Sequence, residues 1–305
     1  MRLKGLQKLQ DKDNILKIIL IIGVFSVIVL LTLFTDFSSF LSPCIGLLTI
    51  EGEITLESLP PSLFDYGKAG AEDIAEAIKN VEKIRPNVKA LVVVINSPGG
   101  SVVGSRIIRD AMKKANVPIV SFLSEVAASG GYYIATGSDY IIADPNTITG
   151  SIGVIAIFAD VRGLLEKLGV NITAVTTGKY KNMGSFFEGL SDEERVIVES
   201  ILNETYKEFI DVIIEGRKGK ITKERLMQIA DGRILSGRQA YRFGLVDEIG
   251  MKEDAIKKAM ELANIKEKNV CEIRVIPKRI QGLLANNILS SFDHLMNSMQ
   301  GLKFK

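Results

Sequence analysis

Val88-Lys89-Ala90-Leu91-Val92-Val93-Val94-Ile95-Asn96-Ser97-Pro98-Gly99-Gly100 is a branched apolar run that stops abruptly in two glycines. The part from Val88 to Ile95 has the composition of a strand buried on both faces. The glycines behind it let the backbone turn its N–H groups inward with no side chain in the way, a shape suited to an oxyanion hole. The pattern repeats: a strand from Val117 to Leu123 leads to Ala127-Ala128-Ser129-Gly130-Gly131, where a helix opens at Ser129. Working outward, Ile45 to Ile54 reads as a strand, and Ala71 to Ile84 as a helix with apolar positions at Ile74, Ala77, Ile78 and Val81. A helix near Val103 to Ala115 and strands at Tyr140 to Ala143, Ile152 to Phe158 and Asn171 to Thr176 continue the alternation. This order gives an α/β fold of stacked ββα or βαβ units. Helices dominate the C-terminal third. Ser191 and Glu194 form a capping box for a long helix through Ile214, and Thr222 caps another that ends at Gly232.

The chain has 305 residues, 47% of them apolar, enough for one large core or two modest ones. It shows no internal repeat or low-complexity linker, so residues 45–276 read as a single enzymatic domain. Its 38 basic and 36 acidic residues are spread evenly, which excludes an electrostatic footprint for nucleic acid. Cys44 and Cys271 form no CxxC pair, and His294 is the lone histidine, so no set of four metal ligands exists. The two cysteines read as unpaired thiols, with Cys271 in a buried strand. No cofactor is expected, because phosphate-loop, GxGxxG and HExxH patterns are all missing.

At the N-terminus, residues 18–35 run for eighteen positions without a charge, long enough to span a membrane. Arg2, Lys4, Lys8, Lys12 and Lys17 lie in the basic segment 1–17, whereas no Lys or Arg follows the apolar run until Lys68. That asymmetry predicts a cytoplasmic N-terminus, a retained transmembrane helix and an extracytoplasmic catalytic domain. Residues 277–305 form a tail with Leu283, Leu284, Ile288, Phe292 and Leu295 near helical spacing. It is expected either to pack on a neighbouring subunit or to lie on the membrane surface.

A chain with one histidine, in its tail, points away from an imidazole base for Ser129. Lysine is the attested substitute. Gly178-Lys179-Tyr180-Lys181 offers two lysines, 50 and 52 residues past Ser129. A lysine base must be neutral, so it needs apolar burial or an orienting hydroxyl, and Thr149 or Ser151 in Thr149-Gly150-Ser151-Ile152-Gly153 can supply one.

Five motifs in order resemble the signal peptide peptidase A family: Asn96 to Gly100, Ala127 to Tyr133, Thr149 to Val154, Gly178 to Lys181, and Asp231-Gly232-Arg233 followed by Gly237-Arg238-Gln239-Ala240. The resemblance covers about Ile45 to Gly250. It implies a ClpP/crotonase-like fold and a Ser-Lys serine endopeptidase that degrades remnant signal peptides at the membrane. By that match Ser129 is the nucleophile and Lys181 the general base, with Lys179 outside the dyad. Gly100 and Gly130 would give the oxyanion N–H groups and Ser151 would orient the lysine. The resemblance further implies apolar peptide substrates and a cyclic homo-oligomer in which Lys181 of one subunit meets Ser129 of the next. Two rival readings stand beside this one. A crotonase-like acyl-CoA enzyme would stabilise an enolate with the glycine N–H groups, and a catalytically silent membrane-tethered scaffold would use none of them.

Overall fold

The computed structural model describes residues 42–59 and 68–275, together with Gly23 and Pro277. The expected membrane span at 18–35, the tail at 277–305 and His294 therefore lie, Gly23 and Pro277 apart, outside the described residues. Among the described residues no helix is long and apolar enough to cross a membrane.

Chain order is β1 (Cys44–Glu51), α1 (Ala71–Lys79), α2 (Val81–Ile84), β2 (Val88–Ser97), α3 (Val102–Lys113), β3 (Ile119–Ala128), α4 (Gly130–Ala135), β4 (Tyr140–Ala143) and β5 (Ile148–Gly150). It continues with α5 (Arg162–Lys167), α6 (Asp192–Gly216), α7 (Lys223–Met227), β6 (Ile234–Ser236), α8 (Gly237–Phe243), β7 (Glu248–Ile249), α9 (Lys252–Leu262) and β8 (Val270–Glu272). The strands form one sheet in the order β6-β5-β3-β2-β1-β8, with β4 also beside β3 and β7 beside β4. Every pairing is parallel except β5 with β6. This is the expected α/β class.

Side-chain alternation along the central strands explains why both faces are covered. Leu91, Val93 and Ile95 of β2 join the core that also holds Ile74 and Ile78 of α1, Ile108 of α3 and Phe209 of α6. Ala90, Val92 and Val94 face the other way and pack with Val120, Phe122 and, from α9, Ala255, Ile256 and Ala259. A parallel sheet with both faces buried needs this uninterrupted apolar composition.

Several boundaries move for local reasons. The helix expected over Ala71 to Ile84 breaks at Asn80, whose φ of −101° and ψ of 7° leave the helical well. The Ser191–Glu194 capping box forms as expected and the helix runs on to Gly216. Thr222 caps α7, but α7 ends at Met227, well before Gly232, which takes a φ of +87° in a separate turn. The strands expected at Ile152 to Phe158 and Asn171 to Thr176 do not form within the chain. Ile152 itself is buried in the core, but the residues after it, 153–190, pair with no sheet edge and leave Ile155, Ile157 and Val175 at 78%, 84% and 94% exposure.

The cysteines are also corrected: Cys44 and Cys271 are joined in a disulfide, 227 residues apart, and neither is a free thiol. The cause is topological. β8 returns to lie parallel to β1 with Gly46 opposite Cys271, which brings the two Cα atoms to 5.9 Å. Beside this link, the Asn87 amide donates to the Ser42 carbonyl (2.9 Å) and the Asn269 amide to that of Pro43 (3.0 Å).

A buried ion pair fastens the end of α6 to the sheet. Arg217 and Asp247 meet in a two-pronged contact at 2.8 Å and 2.8 Å, and Arg217 also donates to the Gly244 carbonyl. Asp247 accepts the Ile141 N–H at 2.8 Å, and the nearby Leu245 carbonyl accepts the hydroxyl of Tyr132 in α4. Burial alone would raise the Asp247 carboxyl, but the hydrogen bonds and charge of Arg217, with Lys220, hold it below the usual carboxylate range.

Candidate active site

β3 delivers Ser129 to the C-terminal edge of the sheet. Its backbone there, φ 51° and ψ −121°, is a conformation that non-glycine residues avoid. Two hydrogen bonds on either side hold it: the Ser129 N–H donates to Gly150 O (2.9 Å), and Ser129 O accepts from the Tyr133 N–H (2.9 Å). Ser101, Ser191, Thr222 and Ser236 all cap their helices through the side-chain oxygen. Ser129 sits at the same position before α4 and makes no such bond. Its hydroxyl is thus left out of the helix cap and stands half-buried at the edge of a cleft of about 830 Å³, which Ser151, Leu202, Tyr206 and Asp231 also line.

The two glycine turns meet at this serine. Gly99 has a φ of +105°, and a Cβ there would lie 2.8 Å from the Gly130 nitrogen and 2.9 Å from Ser129 Cβ. Only glycine permits so close an approach of the two loops. Gly100 is tied to Ile54 through the bonds Ile54 N–H to Gly99 O and Ser101 N–H to Ile54 O, both 2.8 Å. The N–H groups of Gly100 and Gly130 have no acceptor among the described residues. Gly130 starts a helix, where free N–H groups favour negative charge. The structure brings Ser129, Gly100 and Gly130 together, in an arrangement able to hold a nucleophile beside an anion site.

Thr149 and Ser151, the two candidate hydroxyls, separate cleanly. Thr149 is fully buried, and its hydroxyl donates to Ala127 O at 2.6 Å, which gives it a structural task. Ser151 takes a φ of 49°, lines the same cleft as Ser129, and its hydroxyl has no partner among the described residues. Its N–H donates to Arg233 O at 2.8 Å. Arg233 in turn grips Asp231 through two guanidinium bonds, and these hold the Asp231 carboxyl down at about 2. Asp231-Gly232-Arg233 is thus the turn that sets Ser151. Sequence reasoning quoted this motif without a role for it, although the acid and base two residues apart were the available signal.

The lysines stand elsewhere. Lys181 is exposed on the 153–190 segment, in a turn closed by its N–H to Gly178 O, and is absent from the lining of the cleft at Ser129. Lys179 is bonded to Glu193, which raises its pKa and keeps it protonated, unsuited to act as a base.

Residues 111–266 match the sequence pattern of Peptidase family S49, and residues 66–148 that of Clp protease. A protein of Methanocaldococcus jannaschii that carries a protease name is 38% identical over 214 residues, 69% of this chain and 67% of that protein. Protease 4 of Salmonella typhi is 38% identical over 204 residues, which span 66% of this chain and 32% of that protein. Among solved structures, a membrane-bound stomatin-specific protease shares the fold at a TM-score of 0.51 and 15% identity, over 76% of this chain and 98% of that one. The chain belongs to peptidase family S49 and is a serine peptidase on a ClpP-like α/β fold.

Proposed function

We propose that this serine peptidase is a membrane-anchored signal peptide peptidase whose Ser-Lys dyad is completed between subunits, Ser129 from one copy and Lys181 from the next. The observation that carries the reading is the division of the machinery within one chain. Ser129 lies at the cleft with Gly100 and Gly130 beside it, while Lys181 sits outside the cleft on a segment whose Ile155, Ile157 and Val175 are bare. Ile155, Ile157 and Val175 at such exposure suit a surface covered by another copy. A head-to-tail contact of this kind closes into a ring.

In the reaction, the neutral Lys181 amine takes the proton from Ser129 Oγ as the oxygen attacks the scissile carbonyl carbon. The negative charge that develops on the carbonyl oxygen is met by the Gly100 and Gly130 N–H groups. The ammonium then returns the proton to the leaving amine, and water attacks the ester by the same route to release the acyl group. Ser151 orients the lysine. Residues 18–35 hold the domain on the outer side of the membrane, where remnant signal peptides collect, and the Cys44–Cys271 disulfide suits an oxidising compartment. Ser129→Ala and Lys181→Ala are each expected to abolish hydrolysis of a signal-peptide substrate, while Lys179→Ala keeps most of it. An active Lys181→Ala enzyme would remove the dyad.

A further inference from the structure

On its outer side β1 is paired for only three of its eight residues, and the rest is an open edge. Alternate residues of a strand point their backbone groups to opposite neighbours. Thus the Gly52 N–H, just past β1, reaches Asn96 O on the β2 side, and the Ile45 N–H reaches Asn269 O on the β8 side, both at 2.8 Å. β8 accompanies β1 from Ile45 to Leu47, and the last bond between them runs from the Ile273 N–H to Leu47 O at 2.9 Å. Thr49 and Glu51 share the alternation of Ile45 and Leu47. Their N–H and C=O groups therefore face the side that β8 has left, and they have no partner there among the described residues. An edge of this kind is a template for a further strand.

The edge borders a groove of about 690 Å³ on β1, two strands away from the β3 that carries Ser129. Ile54 and Ile74 give the groove apolar surface, and the exposed Glu51 and Glu53 give it negative charge. Glu272 lines it too but is already bonded to Arg274 at 3.0 Å, and the Lys68 ammonium is bonded to the Glu53 carbonyl. The chain itself supplies a matching occupant. Pro277 lies against the groove, so the residues that follow it, Lys278-Arg279-Ile280-Gln281-Gly282-Leu283-Leu284, start there. Two cations come first, suited to Glu51 and Glu53, and apolar residues come next. A segment tethered at the edge meets it at a high effective concentration, an advantage that a separate partner lacks. We infer that residues 278–284 add a strand to the β1 edge of their own chain, bonded at Thr49 and Glu51. The tail is then fastened to its own domain, and not to a neighbouring subunit or to the membrane surface.

Amide hydrogen exchange tests the pairing. It is followed by mass spectrometry over residues 47–53, in full-length protein and in a chain that ends at Pro277, both in detergent micelles. Exchange should be slower in the full-length protein by about fivefold or more, the factor that one net hydrogen bond supplies. Equal rates in the two chains overturn the inference: fast exchange in both means an edge left open, and slow exchange in both means another occupant. Cross-linking then tells whose tail is bound. Thr49 is exposed and tolerates replacement, and the native cysteines are joined to each other and do not compete. Thr49→Cys is combined in turn with Ile280→Cys, Gln281→Cys or Leu283→Cys in the full-length chain and treated with a short bismaleimide. At least one pair should close within a single chain and run as a monomer on a reducing gel. Links found only in dimers place the tail on a neighbouring copy, and no link in any pair leaves it off the edge; either result overturns the assignment.

Discussion

Replacing Gly99 by alanine is expected to harm the rate far more than the fold. The added Cβ would sit 2.8 Å from the Gly130 nitrogen and 2.9 Å from Ser129 Cβ, both backbone-bound atoms that cannot swing away. Relief to ordinary contact requires the two loops to part by about 0.6 Å, which moves the Gly100 and Gly130 donors relative to the Ser129 hydroxyl. A misplacement of about 1 Å costs on the order of 100-fold, and loss of one oxyanion donor about 100- to 1,000-fold. The expected loss in kcat for Gly99→Ala is therefore roughly 10- to 100-fold, with KM changed much less. Its φ of +105° adds about 1–3 kcal/mol of backbone strain. For a domain of this size that lowers Tm by roughly 2–12 °C. Gly219→Ala is the matched control, since Gly219 also has a positive φ (+78°) but nothing within 4 Å of its Cβ position. It should lose similar stability and keep its kcat within about twofold, as backbone strain alone predicts. The assay is steady-state hydrolysis of a quenched peptide below the Tm of every variant. Wild-type kcat in Gly99→Ala, or an equal loss in Gly219→Ala, would refute the reasoning.

Two further outcomes follow from the scaffold. Asp247→Asn leaves the buried Arg217 charge without its counter-charge, so it should cost about 3–5 kcal/mol at neutral pH, read by denaturant unfolding. Because the Asp247 carboxyl is held below its usual value, the pair's stabilisation is fully present above an unfolded pKa near ~3.9 and is lost as pH falls through the lower folded value. The gap between wild type and Asp247→Asn should therefore stay constant from about pH 5 to 8 and shrink below about pH 4; a gap that widens in acid contradicts the sign. Cys271→Ser should cost about 2–5 kcal/mol, and native protein should take up iodoacetamide at Cys44 and Cys271 only after reduction. Alkylation of both without reductant would contradict the link.

The parts of the molecule legible in the sequence are those fixed by local chemistry. The apolar run of β2 and the Ser191 capping box declare themselves because burial on two faces and helix initiation each demand particular residues at particular spacings. The glycine turns were readable for the same reason: no other residue fits where Gly99 meets Gly130. What escaped depended on partners distant in the chain. The pairing of Cys44 with Cys271 requires β8 to return beside β1, and no spacing rule encodes a separation of 227 residues. β5 and β6, three residues each, carry too little pattern to be seen, yet their antiparallel pairing continues into the Ser151–Arg233 bond that sets the cleft. The segments Ile152 to Phe158 and Asn171 to Thr176 have strand composition but no edge to join within the chain. Their composition records a propensity that the fold around them does not use.

Whether the dyad forms between copies is tested by mixing two inactive variants. Full-length Ser129→Ala and Lys181→Ala chains, each inert alone, are co-expressed with different tags, and mixed oligomers are isolated by sequential affinity steps. If the dyad forms between copies, some contacts pair an intact serine with an intact lysine, so hydrolysis should return to about a quarter of the wild-type rate per subunit when the two chains mix at random in a ring. Fluorophosphonate should then label only the chain that retains Ser129. Verified mixed oligomers with no recovered hydrolysis would contradict a dyad shared between subunits.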